Sequence, residues 1–172
     1  MRIKTLALLC FLLTFSACKK NQEETVDDEV PQIKTHDITE QDVNKIKYID
    51  YILDTKTQDA VKDWQEYKQL ENLISNIKKA DLTYFTEDEK VLILFLKELK
   101  QNIPAALKSE STNSRILVIE TQLLKLKSLY NLSTTSKEEL KLSIKEFLVA
   151  FSNLNFQMNK KIEFDTRVIE KP

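Results

Sequence analysis

Not one glycine occurs in this chain of 172 residues. Glycine turns tightly through positive φ and lets a backbone come close to a phosphate. Without it, neither a dinucleotide fingerprint nor a phosphate-binding loop is available. Proline is scarce, at three residues, and histidine occurs once, as His36. One histidine cannot supply the paired Glu-x-x-His ligands of a di-iron or dimanganese bundle, nor a zinc site of the Cys/His type. Nucleophilic catalysis needs a base beside a serine or cysteine, and histidine is missing from the part of the chain that folds. The expectation is therefore no enzyme, with no catalytic residue, no metal and no cofactor. Charge of one sign is lacking as well, with 26 basic residues against 27 acidic ones. Nucleic acid needs a clearly basic surface, so it is not an expected partner.

Cysteine is the next scarcity: Cys10 and Cys18 are the only two. The chain opens on the positive stretch Met1-Arg2-Ile3-Lys4, and residues 5–15 are almost entirely apolar. Such a run covers about half of the roughly twenty helical residues that a bilayer core requires. A basic start, a short apolar middle and small residues at the end describe a cleaved export signal. The small residues are Ser16-Ala17, and Cys18 follows them.

Ser16-Ala17-Cys18 resembles the lipobox of bacterial lipoproteins, with Phe15 where such signals usually carry Leu. The resemblance implies a signal over residues 1–17, cleavage before Cys18, and acylation of Cys18 with chains such as palmitate. Cys10 leaves with the signal, so no intramolecular disulfide remains possible. More than one acyl chain makes the attachment stable, since a single chain binds only marginally. Lys19 stands where Asp would favour inner-membrane retention. The implied location is the outer membrane, lipid-anchored, facing the periplasm or the cell surface. Cleavage removes Arg2 and Lys4 and no acid, leaving 24 basic against 27 acidic residues, net −3.

Residues 18–37 read as a flexible acidic tether. Glu23, Glu24, Asp27, Asp28 and Glu29 crowd it, and it holds too little apolar surface to offset its ordering entropy. Its root-mean-square reach is roughly 25 Å. The acidic cluster is either a solvated spacer or a surface-export tag. Residues 38–172 then suffice for one domain with one core.

What that domain does contain is helical periodicity. Thr39-Glu40-Gln41-Asp42 resembles a capping box, followed by Val43, Ile46, Ile49 and Leu53 at helical spacing. A second stripe runs through Val61, Trp64, Tyr67, Leu70, Ile74 and Ile77. These are two helices with a bend near residues 55–57, or one long one. Thr86-Glu87-Asp88-Glu89 reads as another capping box, opening a helix that is apolar on most sides over residues 91–96 and stops at Pro104. Ile116, Ile119, Leu123, Leu126 and Tyr130 mark the next helix, with Asn131 suited to a left-handed cap. Ser136-Lys137-Glu138-Glu139 caps the last, whose stripe is Leu140, Ile144, Phe147, Phe151, Leu154, Met158 and Ile162. The predicted fold is all-α, an antiparallel bundle of four to five helices.

Two sets of residues are candidates for more than packing. Arg115, Glu120, Asn155 and Asn159 read as a polar layer between the last two helices, which either sets register or forms a small ligand site. Trp64 and Tyr67 are a core anchor or the centre of a partner-binding patch. The order of the Trp64 helix, Ser114-Arg115-Ile116-Leu117-Val118-Ile119-Glu120-Thr121 and Phe151-Ser152-Asn153-Leu154-Asn155-Phe156-Gln157-Met158-Asn159 is similar to that of small uncharacterised bacterial lipoproteins. That resemblance implies a tethered helical domain and brings no activity with it. Two functions follow as expectations. One is a lipid-anchored envelope module that binds another protein or is structural. The alternative is a bundle that binds a small ligand or ion in its core.

Overall fold

The computed structural model describes residues 38–167. The expected signal, the expected acylation site Cys18 and the expected tether lie outside the described residues. Every regular element among those described is helical: α1 (Glu40–Asn44), α2 (Thr55–Val61), α3 (Gln65–Lys78), α4 (Glu89–Gln101), α5 (Glu110–Asn131) and α6 (Lys137–Asp165). Short 3-10 turns at Thr83–Thr86 and Ala105–Leu107 precede α4 and α5.

Local chemistry sets most of the helix starts. Ser136 accepts the Glu139 N–H while the Glu139 carboxylate accepts the Ser136 N–H at 2.8 Å, the reciprocal box read from the sequence. Thr39 and Asp42 form the same box on α1. The box expected at Thr86 does not form. Thr86 donates to the Thr83 carbonyl at 2.7 Å inside the 3-10 turn, and Asp88 caps α4 instead, accepting from Lys90 N–H at 2.9 Å. Asn131 does not adopt the left-handed cap either. It stays helical, and its amide donates to the Phe85 and Lys127 carbonyls at 3.1 and 2.9 Å.

The left-handed position falls to Ala80, at φ 60°. Ala80 N–H bonds to the Ile77 carbonyl and Asp81 N–H to the Asn76 carbonyl, both at 2.9 Å, closing the end of α3 in a Schellman pattern. Glycine normally serves there; a chain without glycine puts an alanine in a strained conformation.

Two helix expectations need correction. The stripe through Val43, Ile46, Ile49 and Leu53 does not lie on one helix: α1 stops after Asn44, and the chain runs on without regular structure to Asp54. The interruption further on lies at residues 62–64, between α2 and α3, not at residues 55–57, which open α2. No breaker forces the turn at 62–64. It lets Trp64, with extended dihedrals, bury its ring against Tyr67 at 5.5 Å.

Helices α5 and α6 form a long antiparallel hairpin, tied on its outer side by Lys125 and Glu146 at 2.5 Å. Helix α6 is about 43 Å long at 1.5 Å per residue, and all seven residues of its predicted stripe are buried. Helix α4 packs on α5, α3 on α4, and Tyr67 and Phe151 close the ring between α3 and α6 at 6.0 Å. The short α1 and α2 lie on α6. Burial of each Leu, Ile or Phe in this shared core stabilises it by roughly 1.5–3 kcal/mol. Helix α4 is not buried on most sides as expected. Leu92, Phe95, Leu96 and Leu99 face the core, while Val91, Ile93 and Leu94 are about half exposed, because α3 and α5 cover only one side.

Candidate functional site

Residues 46–54 link α1 to α2 as a strap laid across α6. A backbone without regular structure still needs partners for its N–H and C=O groups. Three α6 side chains spaced three and four residues apart supply them. Ser152 Oγ donates to the Ile49 carbonyl at 2.6 Å and accepts Tyr51 N–H at 2.8 Å. Asn155 Nδ2 donates to the Tyr51 carbonyl at 3.0 Å. Asn159 Nδ2 donates to the Ile52 carbonyl at 2.8 Å, and its Oδ1 accepts Asp54 N–H at 3.0 Å. At the other edge Lys78 pairs with Asp50 at 2.7 Å, a half-exposed contact worth little alone.

The predicted polar residues therefore do not meet in one layer. Asn155 and Asn159 come together, but they face the strap. Glu120 pairs with Lys100 of α4 at 2.8 Å, and Arg115 is exposed on α5. Spacing along α6 placed both asparagines on one face correctly; it could not show which segment would cover that face. Trp64 and Tyr67 are buried, which makes them a core anchor and removes them from any partner patch.

The exposed apolar surface lies on the strap instead. Ile49 and Ile52 are 68% and 78% exposed. Tyr51 sets its ring 4.7 Å from that of Phe156 on α6, and both rings are partly open to solvent. Lys160 lies over the Phe156 ring at 5.8 Å. Five polar contacts fasten the strap backbone beneath these side chains. Reading Ile49 as a core residue concealed this. The available signal was the density of Ile and Tyr over residues 46–52, which favours extended chain over helix.

Beside the strap, α2, α3 and α6 enclose an open cleft of about 510 Å³. Leu53, Val61, Tyr67 and Asn155 are its buried lining; Lys62, Lys68 and Glu71 stand at its exposed rim. Tyr67 gives its proton to Asn155 Oδ1 at 2.8 Å. Burial, reinforced by the nearby Glu71 charge, raises the Tyr67 hydroxyl far above its ordinary range, so it remains a donor. Partial burial also raises the Glu71 carboxyl, against the opposing pull of Tyr67 and Lys68.

Among the described residues no group of three or more His, Cys, Asp and Glu side chains could hold a metal ion. No described helix is long and apolar enough to cross a membrane. Compared with protein-family models, curated proteins and solved structures, the chain matches none of them.

Proposed function

We propose that this protein is a lipid-anchored component of the cell envelope, and that its helical domain is a non-enzymatic module that docks another envelope protein. The anchor rests on Ser16-Ala17-Cys18 following a short apolar run, and the outer membrane on Lys19 after the cysteine. The non-enzymatic reading rests on the inventory of side chains, in which the single histidine precedes the domain.

The observation that carries docking is the prefastened strap. Ile49, Tyr51, Ile52 and Phe156 form an exposed aromatic and aliphatic surface whose backbone is already fixed by Ser152, Asn155 and Asn159. Binding through an ordered surface avoids most of the entropy of arranging it, and aromatic side chains supply much contact energy at interfaces.

The test uses the full chain in intact cells. Palmitate labelling should disappear in Cys18→Ser. A photo-crosslinking residue at position 52 should give a discrete protein adduct whose yield falls several-fold when Tyr51 and Phe156 are both changed to Ser. Undiminished labelling of Cys18→Ser removes the anchor. Adducts from position 52 that match those from the exposed position 118 on α5 remove the docking surface.

A further inference from the structure

The geometry points to the cleft between the strap and helices α2, α3 and α6 as a binding site for a small amphipathic anion, an apolar chain ending in a carboxylate. This site adjoins the outer face of the strap, with Ile52 at their shared edge, and of the polar layer that the sequence singles out only Asn155 borders it.

Three observations choose the ligand class. The first is the floor. Leu53 and Val61 are buried aliphatic groups, and the Tyr67 ring is buried between the rings of Trp64 and Phe151. The polar atoms on that floor are already engaged: the Tyr67 hydroxyl donates to Asn155, and the Asn155 amide donates to Tyr51. A floor whose polar groups are satisfied gains nothing from a polar ligand and loses nothing to an apolar one.

The second is the rim. Lys62 and Lys68 both border the cleft, and Glu71 is the one acid beside them. Neither ammonium group forms an ion pair or hydrogen bond with another described residue, although that of Lys68 acts on Glu71 through space. Two cations set against one carboxylate leave the rim net positive, which favours a negative head group.

The third is size. A cleft of about 510 Å³ falls within the roughly 300–1,000 Å³ typical of small-molecule sites. An anion with an apolar tail satisfies all three: the tail lies along Ile52, Leu53 and Val61, above the buried Tyr67, and the head reaches Lys62 and Lys68.

Trp64, the only tryptophan, stacks on Tyr67 and reports occupancy of the floor without a label. The experiment titrates the full-length protein with decanoate below its aggregation concentration, following Trp64 emission and confirming stoichiometry by calorimetry. Decyltrimethylammonium and decanol, which keep the chain and change the head, are titrated in parallel. The expected result is saturable one-to-one binding of decanoate, with both other compounds weaker. Changing Lys62 and Lys68 together to Gln should weaken decanoate about five- to tenfold, as expected for two exposed charge contacts. Both lysines are exposed, so this variant should keep the wild-type circular dichroism spectrum. Absence of saturation, equal binding of the cationic or neutral compound, or an unchanged double variant each overturns the proposal.

Discussion

Tyr67 and Asn155 lie 88 positions apart in sequence and share a buried hydrogen bond of 2.8 Å between α3 and α6. The same asparagine holds the Tyr51 carbonyl, so one amide joins two helices and the strap. Asn155→Ala leaves the Tyr67 hydroxyl and the Tyr51 carbonyl without these partners. A loss of about 2–4 kcal/mol is expected, since each orphaned buried group costs roughly 1–3 kcal/mol. Urea unfolding of Asn155→Ala, Tyr67→Phe and the double variant measures it. If the two single losses simply add, the bond does not couple the helices.

Two serines on α6 should respond in opposite ways. Ser152 Oγ is committed to Ile49 and Tyr51, so Ser152→Ala should cost about 1–2 kcal/mol and speed hydrogen exchange at the Tyr51 amide. Ser143 is fully buried, and its hydroxyl has no partner among the described residues. Ser143→Ala removes an unsatisfied group and improves helix propensity, so it should be neutral or stabilising by up to about 1 kcal/mol. Equal losses for both variants would show that hydroxyl partnership is not what distinguishes these positions.

Ala80→Gly is expected to stabilise the protein by about 0.5–1 kcal/mol. Left-handed φ costs an L-residue roughly 1–2 kcal/mol, and glycine escapes that cost while adding some unfolded-state entropy. Thermal unfolding reads the change directly. A lowered midpoint would mean that Ala80 contributes packing that outweighs its strain.

Acid should act on Asp42 and Glu71 with opposite sign. The Lys137 ammonium, then Thr39, hold the Asp42 carboxyl far below its ordinary range. Its contribution is therefore complete above about pH 4, the unfolded value, and is lost as pH falls toward the folded value. Burial raises the Glu71 carboxyl, so its protonated form favours the fold and stability declines as pH rises through the raised value. Asp42→Asn should flatten the acid limb of the stability curve. Glu71→Gln should be more stable than the wild type near neutrality and equal to it near pH 3. Denaturation midpoints across that range decide both.

Legibility differed along the chain for physical reasons. The stripes on α3, α5 and α6 were readable because each of those helices turns apolar residues at helical spacing into the shared core. The run over residues 91–96 misled, because six apolar residues do not reveal how many neighbours will cover them; α4 has a covered side and an open one. Ile49 misled differently. Its spacing from Val43 and Ile46 fits a helix, but the segment does not continue as one once Ser152, Asn155 and Asn159 offer its backbone other partners. The four polar candidates split because Glu120 meets Lys100, a pairing across helices that spacing within either helix cannot express.

By itself, the sequence determined the helical class, the boxes at Thr39 and Ser136, and the core faces of the long helices. Those features depend on residues within about one or two turns of each other, where propensity, capping and period act directly. Only the tertiary structure decided that residues 46–54 become a strap, that Trp64 and Tyr67 are interior, and that Leu53, Val61, Tyr67 and Asn155 border one cleft. Each of those outcomes depends on partners up to about a hundred residues away, and a backbone group takes whichever partner the folded chain brings to it.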